Sequence, residues 1–112
     1  MVLSRLQRTK IVSLQPETKF KKKLKEELKK IPKAYFEKIQ QVGLRGTPDM
    51  LGVVNGRSVA LELKVDAPIE PLQTYKLRKW ARAGAYVAVI TPKNMVEILD
   101  DLHHISVGKP VP

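Results

Sequence analysis

The spacing of apolar residues changes along the chain, and each change marks an element. From Pro16, which suits a first helical turn because its missing N–H would be unpaired there anyway, Phe20, Leu24, Leu28 and Ile31 recur at helical spacing and form one apolar stripe. Glu17 stands three residues before Phe20, which places it on that stripe. The opposite side is basic, with Lys19, Lys21, Lys22, Lys23, Lys25, Lys29, Lys30 and Lys33 set against Glu26 and Glu27. Pro32 stops the helix, and Tyr35 to Val42 reads as a strand. Gly43 to Pro48 is a loop, rich in residues that punctuate structure.

Two apolar, β-branched runs follow, Met50 to Val54 and Arg57 to Val65, separated by Asn55-Gly56. Asn-Gly in that setting signals a two-residue type I′ turn, which needs φ > 0 twice. Ala67 to Pro71 is a turn and helix start. Leu72 to Ala83 carries Gln73, Leu77, Trp80 and Ala81 on one helical face and stops at Gly84, where a helix C-terminus favours glycine. Tyr86 to Ile90 is a continuous apolar run, the pattern of a strand buried on both faces. Thr91-Pro92 reads as the cap and first turn of a last helix, with Met95, Ile98, Leu99 and Leu102 as its stripe. Val107 to Pro112 reads as a loose tail. The order α-β-β-β-α-β-α, with a hairpin and a crossover helix, predicts an α/β fold whose mixed sheet carries helices on both sides.

The turn also fixes a register. If Val54 faces Arg57, then Leu51 faces Ala60 and Asp49 faces Glu62. Residues directly opposite on an antiparallel pair have Cβ atoms roughly 4.5–5.5 Å apart, so two carboxylates there repel. A divalent cation between them supplies a reason for the arrangement. Side chains alternate across a strand, so Lys64 shares the face of Glu62 while Leu61, Leu63 and Val65 take the other. Two carboxylates and an ammonium on one patch suit phosphodiester hydrolysis, which uses a hard cation and a positive group near the attacking water. Taken singly, Asp49 could simply end a turn, Glu62 could be a solvated strand residue, and Lys64 could be an ordinary strand lysine pairing with Glu62.

Composition adds a partner class. Among 112 residues, 21 are basic and 11 acidic, a net charge of +10 that favours polyanions such as nucleic acid or an anionic membrane surface. An apolar fraction of 43% requires a core, and the length suits one domain at 16–106, with a basic segment at 1–15 and a tail at 107–112. The absence of cysteine excludes disulfides and thiolate metal sites and is compatible with a reducing cytoplasm. No apolar run reaches the ~18 residues of a membrane span, and the N-terminus lacks a signal-peptide core.

Pro48-Asp49, twelve intervening residues and Glu62-x-Lys64 resemble the PD-(D/E)xK signature of restriction-endonuclease-like nucleases. Glu17, Gly46-x-Pro48-Asp49, Leu61-Glu62-Leu63-Lys64, Gln73 and Gly84 extend the resemblance, over roughly residues 17 to 103, to the virus-type replication-repair nuclease domain, VRR-NUC. The resemblance implies an αβββαβ core, here with an extra C-terminal helix, and a Mg²⁺- or Mn²⁺-dependent DNA endonuclease. It implies metal ligation by Asp49, Glu62 and the Leu63 carbonyl, with Glu17 at the outer sphere or a second ion.

Lys64 would orient the water or stabilise developing charge, its charged form favoured by the two carboxylates, and Gln73 would position Lys64, a water or a phosphate. A structural hydrogen-bonding role for Gln73, and a helix-dipole role for Glu17, compete with those readings. Many small members of the family are phage proteins acting in a bacterial cytoplasm, and those resembling Holliday junction resolvases act on branched DNA as homodimers. Nicking, flap or restriction-type activity, or a non-catalytic DNA-binding module, are the alternatives. Lys19, Lys22, Lys23, Arg45 and Lys76 are the candidate DNA contacts, against a simply solvated lysine face. Trp80 reads as core, and His103-His104 as incidental.

Overall fold

The computed structural model describes residues 16–39 and 45–111. Their elements are α1 (Pro16–Leu28), β1 (Ala34–Lys38), β2 (Met50–Val54), β3 (Arg57–Leu63), α2 (Pro71–Arg82), β4 (Tyr86–Ile90) and α3 (Met95–Ser106). The four strands form one sheet in the order β1-β2-β3-β4. The first three run antiparallel, and α2 carries the chain across to β4, which lies parallel to β3. The fold is mixed α/β, as the element order predicts.

Register assigns each residue a face. Met50, Gly52 and Val54 lie opposite Leu61, Val59 and Arg57, and Val59, Leu61 and Leu63 lie beside Tyr86, Ala88 and Ile90. This first face meets Phe20, Leu24 and Leu28 of α1 and Met95, Leu99, Leu102 and Ile105 of α3 in one apolar core. The second face carries Ala60, Glu62, Val87 and Val89. There α2 packs on β4 and β3, with Leu77 buried. Nothing among the described residues covers β1 and β2 on that side, where Tyr35 and Val53 stand exposed.

The hairpin turn forms as its two residues dictate, with φ +46° at Asn55 and +82° at Gly56. Elsewhere the structure departs from the sequence pattern in four places. Ile31 is buried but follows the helix in a turn, because α1 closes on tighter bonds from Lys30 N–H to Glu27 O and from Ile31 N–H to Leu28 O. Residues 40–42 of the predicted strand and 43–44 of the predicted loop lie outside the described residues.

The apolar run of β4 is not buried on both faces along its length. At the end of the described sheet, Tyr86 to Val89 are half-buried and Ile90 alone is fully buried. Thr91-Pro92 does not start α3. Thr91 N–H donates to Asn94 Oδ1 at 2.7 Å, Asn94 N–H donates to Thr91 Oγ1 at 3.3 Å, and Asn94 Nδ2 donates to Val89 O at 2.9 Å. Those local bonds compete with a helical turn, so Asn94 becomes the N-cap. The tail is tied down as well, with Gly108 and Lys109 N–H groups bonded back to Ile105 and His104 carbonyls and Val111 packed on the core.

Gly52 pairs with Phe36 across β1 and β2. A Cβ at Gly52 would meet the Phe36 ring and lie 2.5 Å from the Tyr35 carbonyl oxygen. Because the obstacle includes backbone, Gly52→Ala should lower unfolding free energy by about 1–3 kcal/mol. Urea denaturation measures this, and an unchanged midpoint would contradict the close approach.

Candidate active site

The pairing of Met50 with Leu61, continued by one residue, sets Asp49 opposite Glu62 as the turn predicts. Asp49 enters β2 directly after the buried Pro48. Its Oδ2 accepts the Leu63 N–H at 2.8 Å, so the carboxylate sits where the β2–β3 ladder ends. Glu62 belongs to the second face, where α2 covers it, and is only 2% exposed. It is therefore not a solvated strand residue.

Gln73 holds Glu62 from the first turn of α2. Its Nε2 donates to Glu62 Oε2 at 2.5 Å, and its Oε1 accepts the Glu70 N–H at 3.0 Å. The second bond satisfies a backbone donor at the helix N-terminus, where donors lack helical partners. Gln73 thus takes the structural hydrogen-bonding role that the sequence leaves open, and its partner is Glu62 as well as its own helix start. Lys64, half-buried, brings its ammonium to 3.7 Å from Glu62 Oε2. Glu62 Oε1 is buried and has no hydrogen-bond partner among the described residues.

A buried carboxylate with a free oxygen is costly when charged. Burial, reinforced by the Asp49 carboxylate and partly offset by the Lys64 ammonium, pushes the Glu62 carboxyl up to about 7. A cation placed between the two carboxylates would satisfy the free oxygen and replace that proton. The donor set is hard oxygen, the chemistry that Mg²⁺ and Mn²⁺ prefer. Among the described residues no three acidic or histidine side chains gather around one point. A metal here would therefore draw its remaining ligands from backbone, water or substrate.

Glu17 requires a correction. It is not on the buried stripe, since its side chain is 62% exposed and pairs with Lys21 at 3.1 Å. One turn before Phe20, the helix has already passed the rim of the core. Lys21, however, joins Lys25 and Lys38 in lining a small cavity with Asp49, Met50 and Leu63, so Glu17 approaches the site through its partner. Lys19, Lys22 and Lys23 stand exposed on α1, Arg45 is exposed in the loop before Asp49, and Lys76 is half-buried on α2.

The lysines beside Asp49 are Lys21, Lys25 and Lys38, which the sequence reading did not select. The i, i+4 spacing of Lys21 and Lys25 was visible, but the place of Lys38 depends on its pairing with Met50. Trp80 is half-buried. His103 and His104 lie in the last turn of α3. No helix among the described residues is long and apolar enough to cross a membrane. Comparison with protein-family models, with curated proteins and with solved structures finds no match for this chain.

The Glu62 carboxyl gives a pH signature. Its value rises on folding from the ordinary 4.5 to about 7, so between those limits the folded state binds the extra proton. Stability from this group is therefore full below about pH 4.5, declines as pH rises to about 7 and levels off above it, a change on the order of 3 kcal/mol. Urea unfolding in EDTA from pH 5 to 9 should show this decline, and Glu62→Gln should remove most of it and be more stable than wild type at pH 8. A variant less stable than wild type at pH 8 would contradict the buried, strained carboxylate.

Proposed function

We propose that this chain is a divalent-metal-dependent DNA endonuclease of the PD-(D/E)xK type, with a restriction-endonuclease-like core and an affinity to VRR-NUC domains. The observation that carries the proposal is Glu62, a buried carboxylate set opposite Asp49 and beside Lys64, with one oxygen that has no partner among the described residues. A purely structural glutamate would have its oxygens satisfied. The order α1-β1-β2-β3-α2-β4 supports the same family reading, and the net charge suits a polyanionic substrate.

Asp49, Glu62 and the Leu63 carbonyl would hold Mg²⁺ or Mn²⁺, which when bound activates a water and neutralises charge on the phosphate oxygens. The chain's own groups do the rest. Gln73 keeps Glu62 in one orientation, which a metal ligand requires. Lys64 presents a cation to charge developing on the phosphate. Branched, junction-containing DNA and a homodimer are the substrate and assembly that the resemblance suggests, and the exposed Tyr35 and Val53 offer an apolar surface for self-association.

One observation favours a non-catalytic DNA-binding module instead, because Asp49 is already engaged by the Leu63 N–H. The two readings separate on a panel of junction, flap, linear and supercoiled DNA with Mn²⁺, Mg²⁺ or EDTA. The nuclease should cut at least one substrate with metal only, Asp49→Ala should abolish cutting, and Lys64→Ala should slow it roughly 10²–10³-fold. Failure of both metals to support cleavage, or full cleavage by Asp49→Ala, would reject it in favour of metal-indifferent binding.

A further inference from the structure

We infer that the groove between α1 and β1 is the path of a single nucleic-acid strand leading away from the Asp49–Glu62 site, an inference that rests on the nuclease reading of that site. The groove is a cavity of about 310 Å³ whose floor is Leu28, Ala34, Phe36 and Met50. Lys25 and Lys29 line it from the α1 side and Lys38 from β1. Lys25, Lys38 and Met50 also line the small cavity that contains Asp49, so the two spaces are neighbours.

The charge of this groove is not compensated locally. Among the described residues no carboxylate pairs with Lys25, Lys29 or Lys38. Of the neighbouring acids, Glu27 pairs with Lys30 at 2.8 Å and Glu37 accepts from the Tyr35 hydroxyl at 2.8 Å, while Glu26 stands exposed on α1. Glu37 is also directed to the other face of the sheet, since register places Lys38 with Met50 and Glu37 with Leu51. Lys21 and Lys25 stand one helical step of roughly 6 Å apart along α1, and Lys29 follows four residues later. A cationic ladder above an apolar floor matches a ligand with repeated anions and flat apolar groups.

A single strand has that chemistry, with phosphates for the lysines and bases for the floor. A duplex keeps its bases paired and stacked inside, so it cannot lay them on the apolar floor as an unpaired strand can. An acidic peptide or an anionic lipid could meet the lysines, but neither offers repeated anions alternating with flat apolar groups along one chain. The substrate class that follows is nucleic acid with an unpaired segment next to the bond that is cut.

The test is a fluorescence-anisotropy titration of labelled twelve-nucleotide oligothymidylate against the full chain in EDTA, where cleavage cannot occur. Lys25→Glu/Lys29→Glu/Lys38→Glu is compared with Lys79→Glu/Lys93→Glu/Lys109→Glu, an equal charge change on exposed positions elsewhere. The groove variant should lose at least tenfold more affinity than the control. Its slope of log affinity against log salt should fall by about 2, since each phosphate contact on a single strand contributes roughly 0.7. Oligouridylate in the same assay shows whether RNA is held as well as DNA. Equal losses in the two variants, or displacement of the oligonucleotide by an oligoglutamate peptide as effectively as by unlabelled oligothymidylate, would overturn the groove. Because no metal is present, such a failure is separate from failure of the cleavage assay, which bears on the nuclease reading alone.

Discussion

The antiparallel register of β2 and β3 is the constraint on which the rest depends. Asn55 and Gly56 close the hairpin with two residues at positive φ, so the pairing admits no adjustable loop. Slipping that register by one residue would turn Leu61 and Leu63 away from the core and bring Glu62 into it. The core face therefore enforces the pairing that sets Asp49 against Glu62. The electrostatic cost of the two carboxylates is imposed by apolar burial on the other side of the same strands.

That cost is then concentrated on one residue. Asp49, at the end of the ladder, gains the Leu63 N–H, whereas Glu62 lies under α2 with one oxygen held by Gln73 and the other without a partner among the described residues. Gln73 is positioned because its other amide atom caps α2, so the helix that buries Glu62 also aims it. On the first face, α1 brings its lysines to the mouth of the same site beside Lys38. Sheet register, a helix cap and a row of lysines thus lie close together along the chain's fold.

Much of this was legible in the sequence, where the governing physics is local. The Asn-Gly turn, the stripe Phe20-Leu24-Leu28 and the element order each depend on neighbouring residues. The facing of Asp49 and Glu62 followed from the turn by counting. What stayed hidden was nonlocal. Alternation placed Glu62 on the second face but could not say that α2 buries it. Helical spacing placed Glu17 in line with Phe20 but could not show that the core ends before that turn, so Glu17 emerges paired with Lys21 in solvent. Lys38 joins the site only through its pairing with Met50, and β4 is half-buried because of its place at the end of the described sheet.

The central proposal is that Asp49 and Glu62 together hold a divalent cation that displaces a proton from Glu62. The most direct measurement is calorimetric titration of the chain with Mn²⁺ at pH 7 in buffers of different ionisation enthalpy, which counts protons released on binding. Because the Glu62 carboxyl is pushed up to about 7, binding should release protons at pH 7, and the release should fall as pH rises to 9. Binding without proton release at pH 7, or no binding at all, would contradict the account.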